Sequence, residues 1–116
     1  MFTDAPLTFE CRQGSSAETA IYALSGPLTL RNMFDLQAAL REDKMSRVAI
    51  LDLSAVPYMD SAGLGLLMNQ YVHCQTHGGR MVVVGANSRV MELFRITKID
   101  SIVPQTATVE EAEGYA

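Results

Sequence analysis

Residues 60–65 read DSAGLG and follow the run VAILDLSAVPYM. A serine stands between an aspartate and two near-adjacent glycines, just where a helix should begin. Glycine inside a helix costs about 1 kcal/mol relative to alanine, so Gly63 and Gly65 together concede roughly 2 kcal/mol of local propensity. Either tight packing requires them, or something must come close to the backbone beside Ser61. As an N-cap, Ser61 needs no partner, yet Asp60 already offers a charged cap. A phosphate on Ser61 would meet backbone N–H groups and the positive end of the helix dipole, and also the opposing charge of Asp60. Such a site tolerates phosphate while its surface electrostatics invert.

Other chemistries fit less well. A dinucleotide fingerprint needs a strand running directly into G-x-G-x-x-G and an acid about 20 residues later. Here Met68 stands at the third glycine, and the apolar MVVVGA occupies the later region. A hydrolase elbow, G-x-S-x-G, has Met59 in place of its first glycine. His73 and His77 lie more than three turns along the same helix from Ser61, too far to act as its base. Their own i, i+4 spacing suits a metal, but Cys74 replaces the Glu of H-E-x-x-H and no third ligand is apparent, so they read as solvated imidazoles near a helix C-terminus. Asp52 is either a buried acid with a chemical role or a loop cap accepting backbone N–H bonds. Met33, Met45, Met59, Met68, Met81 and Met91 read as core fillers, and no cofactor is implied.

The elements that must position Ser61 can be read from periodicity. LTFECRQ (7–13) and TAIYALS (19–25) flank the turn chemistry of GSSAE and predict a hairpin or two neighbouring strands, ended by Gly26-Pro27. Leu30, Met33, Phe34, Leu36 and Leu40 recur at helical spacing, predicting a helix over 29–41 capped by Thr29. RVAILDLS (47–54) and RMVVVGA (80–86) are apolar runs expected of strands covered on both faces. Between them a helix starts at Asp60 or Ser61, turns Leu64, Leu67, Met68 and Tyr71 inward, and stops at Gly78-Gly79. Asn87 or Ser88 caps a third helix that buries Val90, Leu93 and Phe94. SIV (101–103) predicts a last short strand, and TVEE (108–111) a capping box opening a final helix. The order ββαβαβαβα implies an α/β fold around a mixed, mostly parallel sheet of about five strands.

The 116 residues fit one domain, 1–116. A formal net charge of −4, with nine Lys and Arg residues scattered along the chain, argues against nucleic acid or an anionic membrane as partner. Cys11 and Cys74 form no metal-ligand spacing and suggest free thiols in a reducing compartment. The start lacks a signal peptide's basic and apolar regions, and no apolar stretch reaches the ~18 residues of a membrane span. A cytoplasmic protein is the expectation.

VAILDLSAVPYMDSAGLGLLMN resembles the core signature of STAS domains, and especially of anti-sigma factor antagonists. The flanking LSGPLTL and GGRMVVVGANSRVMELFRITKID match the same pattern, so the resemblance runs from about Leu7 to Glu113. It implies a single STAS domain with helices mainly on one sheet face and the motif serine at the start of the second helix. In that family an unphosphorylated antagonist binds an anti-sigma factor kinase and frees the sigma factor; the kinase phosphorylates the serine and a phosphatase restores it. By resemblance, Ser61 is the phosphoacceptor, Asp60, Ala62, Gly63 and Gly65 form the partner-binding surroundings, and Asp52 supports the loop. The glycines would leave backbone open to kinase and partner. Ala62 stands where many members carry a second small hydroxyl residue, and PLTL lacks an acidic residue often found after the preceding glycine. Stand-alone STAS domains also serve as scaffolds in stress-signalling and lipid-transport assemblies, sometimes without phosphorylation.

Overall fold

The turn at 14–18 lets two short strands lie side by side. In the computed structural model, which describes residues 6–43 and 46–114, β1 (Thr8–Gln13) and β2 (Thr19–Ser25) pair antiparallel, with Cys11 opposite Tyr22. The Gly14 N–H donates to the Thr19 carbonyl at 2.8 Å and closes the turn. β2 pairs parallel with β3 (Val48–Ala55), β3 with β4 (Arg80–Val84), and β4 with β5 (Gln105–Thr106), giving one sheet in the order β1-β2-β3-β4-β5. Helices α1 (Phe34–Glu42), α2 (Ser61–Thr76), α3 (Ser88–Ile96) and α4 (Val109–Gly114) complete the order ββαβαβαβα. α2 is thus the crossover between neighbouring parallel strands, as its place between two apolar runs predicts.

The unbroken apolar run of β3 is explained by cover on both faces. Alternate residues of a strand point to opposite sides. Ala49, Leu51 and Leu53 join the main core with Leu36, Leu64, Leu67 and Phe94. Ile50 joins Ile21, Val82 and Val84 beneath Ala112 of α4. Three helices therefore supply the main core and the last, short helix covers the other face.

Local signals account for most boundaries. Asn87 caps α3 by accepting the Val90 N–H at 2.8 Å, and Thr108 accepts the Glu111 N–H at 3.2 Å at the start of α4. Gly78, at φ +75°, follows the end of α2, and the Gly79 N–H returns to the Cys74 carbonyl at 2.7 Å. β4 ends at Val84, two residues early, because Gly85 adopts φ +69° against Ser54.

Two elements differ from the sequence expectation. α1 begins at Phe34, not Thr29. The Thr29 N–H and hydroxyl both donate to Asn32 Oδ1, at 2.8 and 3.1 Å, so 29–32 is a side-chain-closed turn. Leu30 and Phe34 consequently leave the buried stripe and are 55% and 56% exposed. The last strand is Gln105–Thr106 rather than 101–103. Lys98 takes a left-handed φ of +63°, and the chain turns through a short 3-10 helix, Ile99–Ser101, that buries Ile99 and Val103 instead of extending them. Among the methionines, Met59 and Met81 are buried, Met33, Met68 and Met91 pack partly against the core, and Met45 lies outside the described residues.

Candidate functional site: the N-terminus of α2

Asp60 organises this end of the molecule. It takes extended backbone angles before the helix, and its Oδ1 accepts the Gly63 N–H at 2.9 Å, the geometry of an N-cap. Its other oxygen, Oδ2, accepts the Leu30 N–H at 3.1 Å. One carboxylate therefore ties the start of α2 to the loop that follows β2. Burial alone would raise the Asp60 carboxyl, but N–H donors from Gly63, Leu30 and Ala62 outweigh it and hold the group below its ordinary value.

Backbone bonds reinforce the same junction. The Leu28 N–H donates to the Tyr58 carbonyl at 3.1 Å and the Asp60 N–H to the Leu28 carbonyl at 3.2 Å, while Leu28 and Met59 form a parallel bridge. Gly26, at φ +106°, lets the chain leave β2 against the Pro6 carbonyl. On the opposite side, Asn87 Nδ2 donates to the carbonyls of Val56 and Pro57 at 3.2 and 3.1 Å. The Arg89 guanidinium lies 5.0 Å from the centre of the Tyr58 ring. The loop leading to Ser61 is therefore held from both sides.

Ser61 is the first residue of α2, exposed, and its hydroxyl makes no hydrogen bond among the described residues. Asp60 already supplies the cap, so the serine hydroxyl is not engaged in holding the helix. A phosphate there would not have the helix terminus to itself, because the Gly63 N–H is already taken by Asp60.

The two glycines serve different ends. Gly63 is buried, and a Cβ on it would collide with the Leu28 carbonyl and side chain. Its backbone is covered by the loop after β2, which corrects the expectation that both glycines present open backbone to a partner. Gly65 is exposed, and a Cβ there would meet nothing within 4 Å. Ala62, between Ser61 and Gly63, is half-buried.

Asp52 lies within β3, and its Oδ1 accepts the Ser54 N–H at 3.0 Å. That bond falls where the pairing of β2 with β3 shifts register, between Ala23↔Asp52 and Ser25↔Ala55. Asp52 thus shapes the irregular end of β3 that feeds the 56–60 loop. His73 and His77 sit at the far end of α2, about 18 and 24 Å from Ser61 at 1.5 Å per residue. Their rings are 4.2 Å apart and His77 Nδ1 lies 2.9 Å from the His73 carbonyl oxygen. Among the described residues no group of three or more His, Cys, Asp or Glu could hold a metal, and no helix is long and apolar enough to cross a membrane.

Periodicity misplaced Leu30, which belongs to this surface. Its helical spacing pointed inward, and only the link from its amide to Asp60 places it beside Ser61. Asn87 was readable as a cap, but not as the clamp on residues 56 and 57.

A family model described as STAS domain matches residues 11–112, and the chain belongs to that family. Over 80 residues it is 31% identical to a putative sulfate transporter, YvdB, of Bacillus subtilis, covering 67% of this chain and 15% of that protein. Over 53 residues it is 34% identical to an anti-sigma-B factor antagonist of Listeria monocytogenes, covering 46% of each chain. The matched region thus spans less than half the length of either relative. The crystal structure of an anti-sigma factor antagonist from Mycobacterium paratuberculosis shares the fold, with a TM-score of 0.84, 21% identity and 97% of each chain covered.

Proposed function

We propose that this STAS domain is an anti-sigma factor antagonist: a cytoplasmic binding module, without catalysis of its own, switched by phosphorylation of Ser61. The unphosphorylated form binds an anti-sigma factor serine kinase through the surface around Asp60, Ala62 and Gly65 and frees the sigma factor. Phosphorylation by that kinase ends the complex, and a phosphatase acting on Ser61 restores it. The observation that carries this reading is the exposed, unbonded Ser61 hydroxyl at a helix start whose cap is supplied by Asp60. Relatives bearing the antagonist name support it. Exposed Leu30, joined to Asp60, adds apolar area to a surface suited to a protein partner.

The match to a putative sulfate transporter, which covers more of this chain than the antagonist match, favours a second reading as a STAS module of a transport or scaffold assembly with Ser61 unmodified. Incubation with candidate anti-sigma kinases and ATP, followed by intact-mass and peptide mass spectrometry, separates the two. Addition of one phosphate at Ser61 is the expected result. Complex formation with no kinase tested, and an unmodified Ser61, would leave the scaffold reading in its place.

A further inference from the structure

At the end of the domain remote from Ser61, a recess of about 280 Å³ opens between the C-terminal halves of α1 and α2 and the start of β3. Its floor is formed by Tyr22, Leu40, Ala49 and Cys74, each more than nine-tenths buried. Around it stand Arg41, Arg47, His73 and His77, all exposed. The charge balance of this lining departs from that of the chain, whose formal net charge is −4. Among the described residues the lining holds two guanidinium groups and a single carboxylate, Asp43, which is already engaged by the Tyr22 hydroxyl at 2.6 Å and the Ser46 N–H at 3.1 Å. Glu42 lines the adjoining recess beside β1, not this one.

The buried groups add no negative charge. Burial, then the Asp43 carboxylate, pushes the Tyr22 hydroxyl far above its ordinary value, and burial pushes the Cys74 thiol up, so both stay protonated at neutral pH. The Arg41 guanidinium has no bonding partner among the described residues, and the Arg47 guanidinium makes only a long 3.4 Å bond from Nη2 to the Gly78 carbonyl. Gln70 Nε2 lies 3.7 Å from the Cys74 sulfur. An apolar floor with unneutralised planar cations at its rim suits a ligand with a charged head and a short apolar body.

We propose that this recess is a binding site for a small amphipathic anion, a carboxylate or phosphate monoester carrying a short apolar body. Arg41 and Arg47 take the head group, with His73 as a further donor, and the body lies over Leu40 and Ala49. The volume falls just under the ~300–1,000 Å³ of drug-sized sites, which fits a metabolite of modest size and excludes a dinucleotide.

The test is amide chemical-shift titration of the full chain with three probes: hexanoate, hexyl phosphate and neutral hexanol, at constant ionic strength. Saturable shifts centred on Tyr22, Ala49, Gln70 and Cys74 are expected with an anionic probe, with a dissociation constant of about 1 mM or below for a ligand of this size. Whichever head group binds more tightly identifies the class. The double variant Arg41→Gln, Arg47→Gln, whose side chains are exposed and leave the core intact, should weaken binding at least about tenfold through loss of charge-assisted hydrogen bonds. Shifts that fail to saturate with either anion up to about 20 mM, far above that constant, would overturn the proposal. Equal binding by hexanol, or by the double variant, would overturn it as well.

Discussion

The Leu30 N–H donates to Asp60 Oδ2 at 3.1 Å, across 30 residues of sequence, while the other oxygen of the same carboxylate caps α2 through Gly63. Asp60 is therefore both a helix cap and a cross-brace, and the hydroxyl of Ser61 next to it is left with no structural duty. That division of labour sets up the first prediction. Asp60→Ala should cost about 0.5–2 kcal/mol, the range of lost N-caps, whereas Ser61→Ala should stay within about 0.5 kcal/mol of the parent, as surface changes usually do. Urea denaturation of the three proteins decides it. A larger loss for Ser61→Ala would show that the serine, not the aspartate, holds the helix.

The Asp60 contribution should depend on pH in a defined direction. Its folded-state value is held below the ordinary 3.8 by backbone donors. A depressed carboxyl stabilises the folded state above its unfolded value and loses that contribution as pH falls through the folded one. The difference in melting temperature between the parent and Asp60→Ala should be full at pH 7 and shrink on acidification below about pH 4, the unperturbed carboxyl range. A difference that persists unchanged in strong acid would assign the effect to something other than the ionised cap.

Gly63 and Gly65 should respond oppositely to the same substitution. Gly63→Ala places a methyl group against the Leu28 carbonyl, and such overpacking typically costs about 1–3 kcal/mol. Gly65→Ala meets open space and should gain up to about 1 kcal/mol of helix propensity. Gly65→Leu should likewise fold, while impairing partner binding or phosphorylation at Ser61. Thermal unfolding paired with a binding assay reads both; equal destabilisation at the two glycines would contradict the assigned packing.

Phosphorylation should alter binding far more than folding. The added charge of about −1.5 to −2 arrives beside Asp60, which already holds the Gly63 amide. A partner packed on Ala62 and Gly65 would have to bury that charge, and disrupting a desolvated contact of this kind costs about 2–5 kcal/mol. Calorimetry against the anti-sigma partner should show the corresponding thirtyfold or greater loss of affinity, about 1.4 kcal/mol per tenfold, with a melting temperature near that of the unmodified chain. Ser61→Ala should bind persistently. Equal affinity of the modified and unmodified proteins would remove the switch.

Asn87 offers a test of how the loop before Ser61 is held. Asn87→Ala removes the α3 cap from Val90 and both bonds to the Val56 and Pro57 carbonyls. A loss of about 0.5–2 kcal/mol is expected from the cap alone, accompanied by faster amide exchange over residues 56–60. Protection of those amides unchanged from the parent would show that the Leu28 backbone bonds suffice.

Much of this was written into local stretches of sequence. The apolar runs at 48–51 and 81–84 could bury both faces only as inner strands, and the helical stripe of Leu64, Leu67, Met68 and Tyr71 could lie only across them. Asp60, Asn87 and Thr108 announced helix starts because a cap acts on N–H groups two or three residues away, within reach of the same short segment. DSAGLG placed Ser61 at a helix start for the same reason. Contacts between distant segments decided the rest. Two glycines two positions apart on one helix are alike in sequence, and only the Leu28 loop makes one of them a packing requirement and leaves the other open. Leu30 fitted a buried helical stripe until Asn32 closed a turn around Thr29, which outcompeted the helix and left Leu30 beside Asp60. Residues 101–103 had strand composition, but burial of Ile99 and Val103 in a tight turn satisfied them better than a sheet edge. The Arg41–Arg47 recess, gathered from α1, α2, two strand positions and the loops before β3 and β4, had no signature in any one stretch, because charge and cavity there are properties of packing.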